Sequence, residues 1–319
     1  MTPAQLRAFA AIVRHGSARD AAAELQVSEA AISSHTSALR KELGDQLYRR
    51  TGSGLAFTPG GLRLATRAVE MLGLQDQTIS EVNAAANGQR LLRLATTSLF
   101  AEFAAPGLLE LFKTRADDLA VEMSVYPGVQ LDALLASRQA DVIVGPSLGN
   151  AELGFRTRDF LKYQMVLVVG GRYDLARSTR VSPAALAAKP WLLGPSAIEE
   201  RGATAALLRR FAVPEDNQRI FQSHAAAIAA IEAGGGVGVV PLFRVQGAIA
   251  DGRLQRVSTV GDSASGVWAA STLQAMQAPP VASELLRFMT TPRATQAMLT
   301  GSGANIGHFK PSVHVTLWS

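Results

Sequence analysis

Residues 27–50, VSEAAISSHTSALRKELGDQLYRR, decide how the N-terminal part of this chain is interpreted. Between its apolar residues the stretch carries four serines, a threonine and a histidine. Serine and threonine are mediocre helix formers, because their side chains compete for the hydrogen bonds of the backbone. A helix that keeps so many hydroxyls and then ends in positive charge calls for a functional explanation.

A helical wheel at about 100° per residue separates this stretch into two faces. Ile32, Thr36, Leu39 and Leu43 share one face, which we expect to be buried. The opposite face is small and polar, so it can enter a groove and offer hydrogen bonds to base edges or phosphates. The candidate contact residues are Ser28 and Glu29 at the helix start, followed by Ala30, Ser33, Ser34, Ser37 and Lys41. A merely solvated face explains the helix alone equally well.

The flanking residues favour DNA contact over a solvated face. Upstream, apolar residues at helical spacing, Gly16 and the segment ARDAAAEL predict two further helices, the outline of a helix-turn-helix. Downstream, LYRRTGSGLAFTP predicts a β-hairpin wing. The wing places Arg49 and Arg50 beside the polar helix face, where they can contact phosphates.

A long helix is predicted to follow the wing. Thr58 can cap it, and Pro59 suits its first position. Its apolar residues keep a heptad-like spacing at Leu62, Ala65, Val69, Leu72 and Ile79. Packing on its own chain is the alternative, but nothing nearby would cover so long a stripe. We therefore expect a dimerisation surface.

Composition limits the classes of function. The chain has 319 residues, a net charge of +5 and a sequence pI of about 9.9, which permits a polyanionic partner. It has no cysteine, so disulfides and thiolate chemistry are excluded. No apolar run is long enough for a membrane span, and Arg7 and Arg14 interrupt any signal peptide. We expect a cytoplasmic protein that does not enter a membrane.

From about residue 90 onward, apolar β-type runs alternate with helical stretches, as is typical of a parallel or mixed α/β sheet. Ligands of such sheets lie at the carboxyl ends of strands, beside helix N-termini that favour anions. The candidate ligand contacts at these junctions are Thr97, Ser98, Pro146, Ser147, Ser196, Ser223 and His224. Each could equally be a plain helix cap, and the pattern names no compound.

Nothing in the sequence indicates catalysis. The stretch EAGGGVGVV, residues 232–240, follows a helix and precedes a strand, the reverse of the dinucleotide-binding order, so we interpret it as a helix end and turn. The histidines lack metal-ligand spacing, and no nucleophile elbow or Walker loop occurs. We expect no catalytic residues, no metal and no cofactor.

Residues 6–61 resemble the LysR-type transcriptional regulators nearly end to end. The resemblance is carried by an A-A-x-x-L-x-V-S entry to the polar helix, the exit LRKELGDQL and the wing RTGSGLAFTPGG. The chain differs from the common family pattern at three positions of the polar helix. Glu29, Ala30 and Ser34 stand where the family often has glutamine, proline and arginine, and these differences leave the preferred DNA sequence open. The C-terminal region is similar to the family more loosely.

The resemblance implies an N-terminal α winged helix-turn-helix, a long linker helix that pairs subunits, and a C-terminal α/β two-lobed effector domain like a periplasmic binding protein. It implies a homodimer or homotetramer that senses a small-molecule effector, for which the helix N-termini favour an anion. Two-fold symmetry of the protein predicts a pseudo-palindromic operator in double-stranded DNA.

We divide the chain into a DNA-binding domain (1–58), a linker and dimerisation helix (59–88), an effector-binding domain (89–300) and a C-terminal extension (301–319). Lobe I covers about 90–160 and 265–300, and lobe II about 161–264, because GVWAAST returns the chain to the first lobe. The extension contains SVHVTLWS, which alternates as a strand does.

Two other functions stay open at this point. A solute-binding protein would be exported and would not need residues 1–88. An α/β enzyme fused to a DNA-binding head would need a catalytic constellation in its cleft.

Overall fold

Capped helices and a β-hairpin build the N-terminal unit, which comprises Met1–Asn87 and Ala136–Gln139. Its elements are α1 (Pro3–His15), α2 (Ala18–Leu25), α3 (Glu29–Leu43), β1 (Tyr48–Thr51), β2 (Gly54–Phe57) and α4 (Pro59–Ala86). The side chains of Thr2, Ser17 and Ser28 accept backbone hydrogen bonds at the starts of α1, α2 and α3. Gly16 and Gly44 end α1 and α3 in the left-handed conformation, with φ of 66° and 68°. In this computed structural model, residues 1–52, 54–147, 154–178 and 180–300 are described.

The core of this unit lies between α1, α3 and the hairpin. Phe9, Ile32 and Leu39 are fully buried, and Tyr48 and Phe57 of the hairpin pack against Phe9 with ring centroids 6.5 Å from it. Burying a large apolar side chain contributes about 1.5–3 kcal/mol, so these residues fix the hairpin against the helices.

One expected member of the buried stripe was predicted wrongly. Leu43 is 44% exposed. It is the last residue of α3, and the apolar position beside Phe9 and Leu39 is filled by Leu47 from the following loop, which is 1% exposed.

The C-terminal unit begins at Gly88 and contains a mixed α/β sheet. Its strands are β3 (Arg90–Thr96), β4 (Leu119–Val125), β5 (Val142–Pro146), β6 (Arg156–Gly170), β7 (Trp191–Leu193), β8 (Gln218–Ile220), β9 (Val237–Pro241), β10 (Leu254–Arg256) and β11 (Ser263–Thr272). Its helices are α5 (Ser98–Phe103), α6 (Ala105–Lys113), α7 (Leu131–Ala136), α8 (Pro183–Ala187), α9 (Ala203–Arg210), α10 (His224–Glu232), α11 (Leu242–Ala250), α12 (Pro280–Phe288) and α13 (Pro292–Thr300).

The strand order is β4-β3-β5-β11-β6-β9-β7-β8, with β10 paired to β6. Parallel pairs form one half of the sheet (β4, β3, β5) and the other half (β9, β7, β8). Between them the two long strands β6 and β11 pair in antiparallel fashion, and β6 alone has 15 residues. The two-lobed α/β fold predicted from the sequence is confirmed.

The glycine-rich stretch forms a turn, as predicted. α10 ends at Glu232, Gly234 has φ of +85°, and β9 begins at Val237. A Cβ on Gly236 would lie 2.2 Å from the carbonyl oxygen of Pro190, so only glycine fits this close approach.

No helix in the described ranges is long and apolar enough to cross a bilayer. The predicted strand in the C-terminal extension, 301–319, lies outside the described residues.

Candidate nucleic-acid interface and ligand cleft

The polar face of α3 is open to solvent. Every predicted contact residue on it is exposed, namely Ser28, Glu29, Ala30, Ser33, Ser34, Ser37 and Lys41. On the opposite face Ile32, Thr36 and Leu39 are at most 1% exposed. The hydroxyl of Thr36 donates to the carbonyl oxygen of Ile32 at 2.8 Å, so the one polar member of the buried face is satisfied. Ser28 also caps the helix by accepting from the amide of Ala31 at 3.2 Å.

The wing lies next in the chain and presents two cations. β1 and β2 pair with Arg49 opposite Ala56 and Arg50 opposite Leu55, and both arginines are exposed. Arg40 has a different role, which the sequence did not indicate. Its Nε donates to the carbonyl oxygen of Gln46 at 2.7 Å, and its guanidinium lies 4.4 Å from the Tyr48 ring centroid. Arg40 therefore ties the wing to α3.

A hydrogen-bonded turn fixes the start of α4. The carboxylate of Asp45 accepts from the amide of Leu47 at 2.6 Å and from the hydroxyl of Thr58 at 2.7 Å. These hydrogen bonds lower the pKa of Asp45 below its ordinary value. A Cβ on Gly61 would lie 2.0 Å from the carbonyl oxygen of Leu47, so the first turn of α4 packs directly on this loop.

α4 exposes apolar side chains, as expected of a pairing surface. In the predicted heptad stripe, Leu62 is 56% and Ile79 is 52% exposed. Met71, Leu74 and Val82 are exposed too and lie about 120–200° around the helix from Leu62, a second stripe that the heptad spacing did not include.

A small cleft of about 20 Å³ lies at the carboxyl ends of the strands of the C-terminal unit. Of the predicted ligand contacts, Thr97, Pro146 and Ser196 line it. Thr97 precedes α5, but its hydroxyl forms no cap hydrogen bond to that helix. Thr97 is therefore not a side-chain cap of α5.

Four predicted contacts lie outside the lining of this cleft, and three of them are serines. The hydroxyl of Ser223 accepts from the amide of Ala226 at 3.1 Å, so Ser223 is the cap of α10. Ser147 donates its amide to the carbonyl oxygen of Val267 at 2.7 Å and so extends the pairing of β5 with β11. Ser98 is the first residue of α5. The position of a hydroxyl after a strand does not tell which way its side chain points.

Sequence reasoning missed several residues of the cleft. Glu199, Arg201 and Thr204 line it together with the rings of Tyr163 and Trp268. The two aromatic rings are stacked with centroids 4.3 Å apart, and Trp268 is fully buried. None of these residues directly follows a strand of the predicted sheet, so the strand–helix pattern did not predict them.

His224, the last predicted contact, lies in a hydrogen-bonded chain behind the cleft. Its Nε2 is 3.0 Å from the hydroxyl of Ser196, and its Nδ1 is 3.1 Å from Oε1 of Glu102. The Glu102 carboxylate also accepts from the amides of His224 and Ala225, at 2.9 and 3.1 Å. Glu102 on α5 thus caps α10, joining the two halves of the unit.

Glu199 connects the same two halves of the unit in the opposite direction. Glu199, which follows β7, accepts from the amide of Gly128, which follows β4, at 3.0 Å. Each half of the unit therefore holds one carboxylate against backbone amides of the other half. Burial raises the pKa of Glu199 above its ordinary value, and the Gly128 hydrogen bond opposes that shift.

Ser196, His224 and Glu102 follow one another in the same order as the serine, histidine and carboxylate of a hydrolase catalytic triad. The sequence revealed no such constellation, because Glu102, Ser196 and His224 lie far apart in the chain. Here His224 is 4% exposed, and the Ser196 hydroxyl is 3.3 Å from that of Thr204. Among the described residues, no group of histidine and carboxylate side chains could hold a metal ion.

The buried histidine predicts a pH dependence of stability. Burial lowers the pKa of His224 below 6.5, and the Glu102 carboxylate only partly offsets this effect. Below pH 6.5 the unfolded chain therefore binds a proton that the folded chain does not bind. The free energy of unfolding consequently falls as the pH falls. One proton accounts for at most about 1.4 kcal/mol per pH unit.

We expect thermal unfolding between about pH 5.5 and 7.5 to show a smaller slope in His224→Gln than in the wild type. Equal slopes would contradict this origin.

Comparison with known proteins identifies the family to which this chain belongs. Residues 3–62 match the family described as "Bacterial regulatory helix-turn-helix protein, lysR family", and residues 85–292 match "LysR substrate binding domain". A relative named "Uncharacterized HTH-type transcriptional regulator", from Mycobacterium tuberculosis, is 52% identical over 323 residues that cover 100% of both chains.

Solved structures agree on the fold. ArgP from Mycobacterium tuberculosis has a TM-score of 0.60 at 19% identity, covering 91% of this chain and 96% of that chain. Full-length CbnR in complex with its target DNA has a TM-score of 0.54 at 20% identity, covering 91% and 99%.

Proposed function

This chain belongs to the LysR family of bacterial transcriptional regulators, and from this premise we propose how its residues carry out that role. It is a DNA-binding transcriptional regulator with an effector-binding domain, and its relatives are regulators, not enzymes. The serine–histidine–glutamate chain accordingly serves as a contact between lobes and not as a catalytic relay.

The DNA contact is assigned to α3 and the wing. α3 enters the major groove with the exposed side chains of Ser33, Ser34 and Ser37, while Arg49 and Arg50 contact phosphates. The observation that carries this proposal is the exposure of the whole polar face opposite a fully buried one. Glu29 accepts from a cytosine amino group and Ala30 touches a thymine methyl group.

We assign residues 1–58 to DNA binding, residues 59–88 to pairing of subunits and residues 89–300 to effector binding, as the sequence predicts. We assign pairing of subunits to the exposed apolar stripes of α4. A homodimer or homotetramer then places two recognition helices on a pseudo-palindromic operator. Because the operator lies in the bacterial chromosome, the protein works in the cytoplasm.

The effector is assigned to the cleft lined by Thr97, Ser196 and Arg201. A volume of about 20 Å³ holds about one water molecule, so an effector enters only when the lobes separate. Separation breaks the contacts of Glu102 with α10 and of Glu199 with Gly128. These contacts favour the closed state, and an effector that binds the open state shifts the balance between the two.

A binding assay tests the proposed function as a whole. Full-length protein is titrated by fluorescence anisotropy against duplex DNA from upstream of its own gene, with a scrambled duplex of equal length. Binding of the natural duplex about 10³-fold more tightly, or better, is expected of a specific regulator. Equal binding of both duplexes would reject the proposed recognition of this operator.

Replacing Arg50 with alanine should weaken binding to every duplex alike. Loss of one phosphate contact also lowers the slope of log affinity against log salt by about 1. The measurement is anisotropy over a series of salt concentrations, with both duplexes. Arg219→Ala, an exposed arginine of β8, is the matched control and should leave affinity and slope unchanged. A variant that lost only specific binding would instead place Arg50 on a base.

A further inference from the structure

A groove of about 400 Å³ lies on the C-terminal unit outside the effector cleft. We call it the arginine groove, and the residues used below are Arg90, Phe112, Arg115, Leu119, Arg287 and Phe288. Its volume falls in the range of small-molecule sites. Neither the family assignment nor the proposed function gives it a role.

The arginine groove is well separated from the effector cleft. Arg90 and Leu119 are paired at the amino-terminal ends of β3 and β4, whereas Thr97 follows the carboxyl end of β3. Seven strand residues at about 3.3 Å each put the two sites about 20 Å apart along β3. A ligand in the groove therefore does not touch the cleft.

The floor of the groove is apolar and already formed. Phe112 is 4%, Leu119 is 8% and Phe288 is 5% exposed, so the surrounding protein already holds each of them in place. The rings of Phe112 and Phe288 are tilted against each other with centroids 5.4 Å apart. Such a floor favours a flat ligand that stacks or packs edge-on.

The walls of the groove are cationic. Arg90 is held by both oxygens of Asp118, at 2.7 and 2.9 Å, and lies 3.9 Å from Glu284. Arg115 lies over the Phe288 ring at 5.0 Å. Within the described part of the chain, neither Arg115 nor Arg287 forms an ion pair. Arg115 and Arg287 thus stand above an apolar floor without an ion pair to any described residue, while the carboxylate of Glu284 lines the same groove beside Arg90.

We propose that the arginine groove binds a small aromatic carboxylate. Its carboxylate pairs with Arg115 and Arg287, since guanidinium matches the geometry of a carboxylate with two parallel hydrogen bonds. Its ring packs on Phe112 and Phe288. An inorganic anion lacks the apolar body, and a neutral aromatic lacks the charge, so both bind more weakly.

Fluorine NMR of para-fluorobenzoate with the full-length protein tests this proposal, with neutral para-fluorotoluene as the uncharged probe. Arg115→Ala combined with Arg287→Ala should weaken binding of para-fluorobenzoate by about tenfold or more, because charge-assisted hydrogen bonds are lost. Both side chains are exposed, so the fold is preserved, and circular dichroism verifies this.

Two single variants locate the binding site. Arg219→Ala removes an exposed arginine elsewhere, and Arg201→Ala removes the arginine of the effector cleft, so both should keep wild-type affinity for the probe. The proposal fails if the wild type does not bind para-fluorobenzoate, if the double variant binds it equally well, or if Arg201→Ala alone abolishes binding. Equal binding of para-fluorotoluene would likewise overturn the assigned anion preference. The proposed DNA function is unaffected by any of these outcomes.

Discussion

Ser34→Glu is expected to abolish specific DNA binding while the protein remains folded. Ser34 is exposed in the middle of the polar face of α3, so the new side chain meets no protein atoms that would resist it. In the groove, however, its carboxylate would face the negative potential of the DNA and add bulk where a small residue fits. Like charges brought together at an interface cost several kcal/mol, so we expect at least about a 100-fold loss of affinity. Anisotropy with the natural duplex measures the loss.

Ser34→Ala is the matched control at the same position. It removes one hydroxyl and keeps the helix face small, so it should cost at most about 1.5 kcal/mol. Circular dichroism and thermal unfolding should be the same for both variants and the wild type. An unchanged footprint with Ser34→Glu would refute the placement of α3 in the groove.

Trp268→Ala is expected to produce the largest loss of stability in the effector-binding unit. Trp268 is fully buried on β11, stacked on Tyr163 at 4.3 Å and in edge contact with Phe100 at 5.2 Å. Truncating a buried tryptophan costs about 3–5 kcal/mol, which lowers the melting temperature of a unit of this size by about 10 °C. Differential scanning calorimetry of the full-length protein measures the shift.

Trp268→Phe separates the contribution of packing from that of the indole N–H. Among the described residues, Nε1 of Trp268 has no hydrogen-bond acceptor. Phenylalanine removes this unsatisfied donor and keeps most of the apolar contact, so it should cost less than about half of the alanine change. Equal losses in the two variants would contradict this expectation, because phenylalanine would then retain none of the packing contribution of Trp268.

The sequence predicted best where the signals are local. Gly16 and Thr58 act on neighbouring residues, so the helix limits around them could be predicted from caps. The two faces of α3 were also predictable, because helical periodicity alone separates Ile32 from Ser34. Leu43 was misplaced because periodicity does not tell whether another element covers the last turn.

The cleft was predicted less well because it is assembled over long sequence distances. Thr97 and Ser196 were found from their positions after strands. Glu102 and Glu199 were not found, because each carboxylate acts on an amide far along the chain. A charged residue that caps a distant helix leaves no pattern in its own segment.

The two long central strands limit how such regulators can be recombined. β6 and β11 run through both halves of the sheet, so a junction near residue 161 or 265 would join half-strands from different parents and lose the register between Tyr163 and Gly266. Chimeras that exchange sensing specificity should therefore be spliced near Gly88, ahead of β3, where no strand is interrupted.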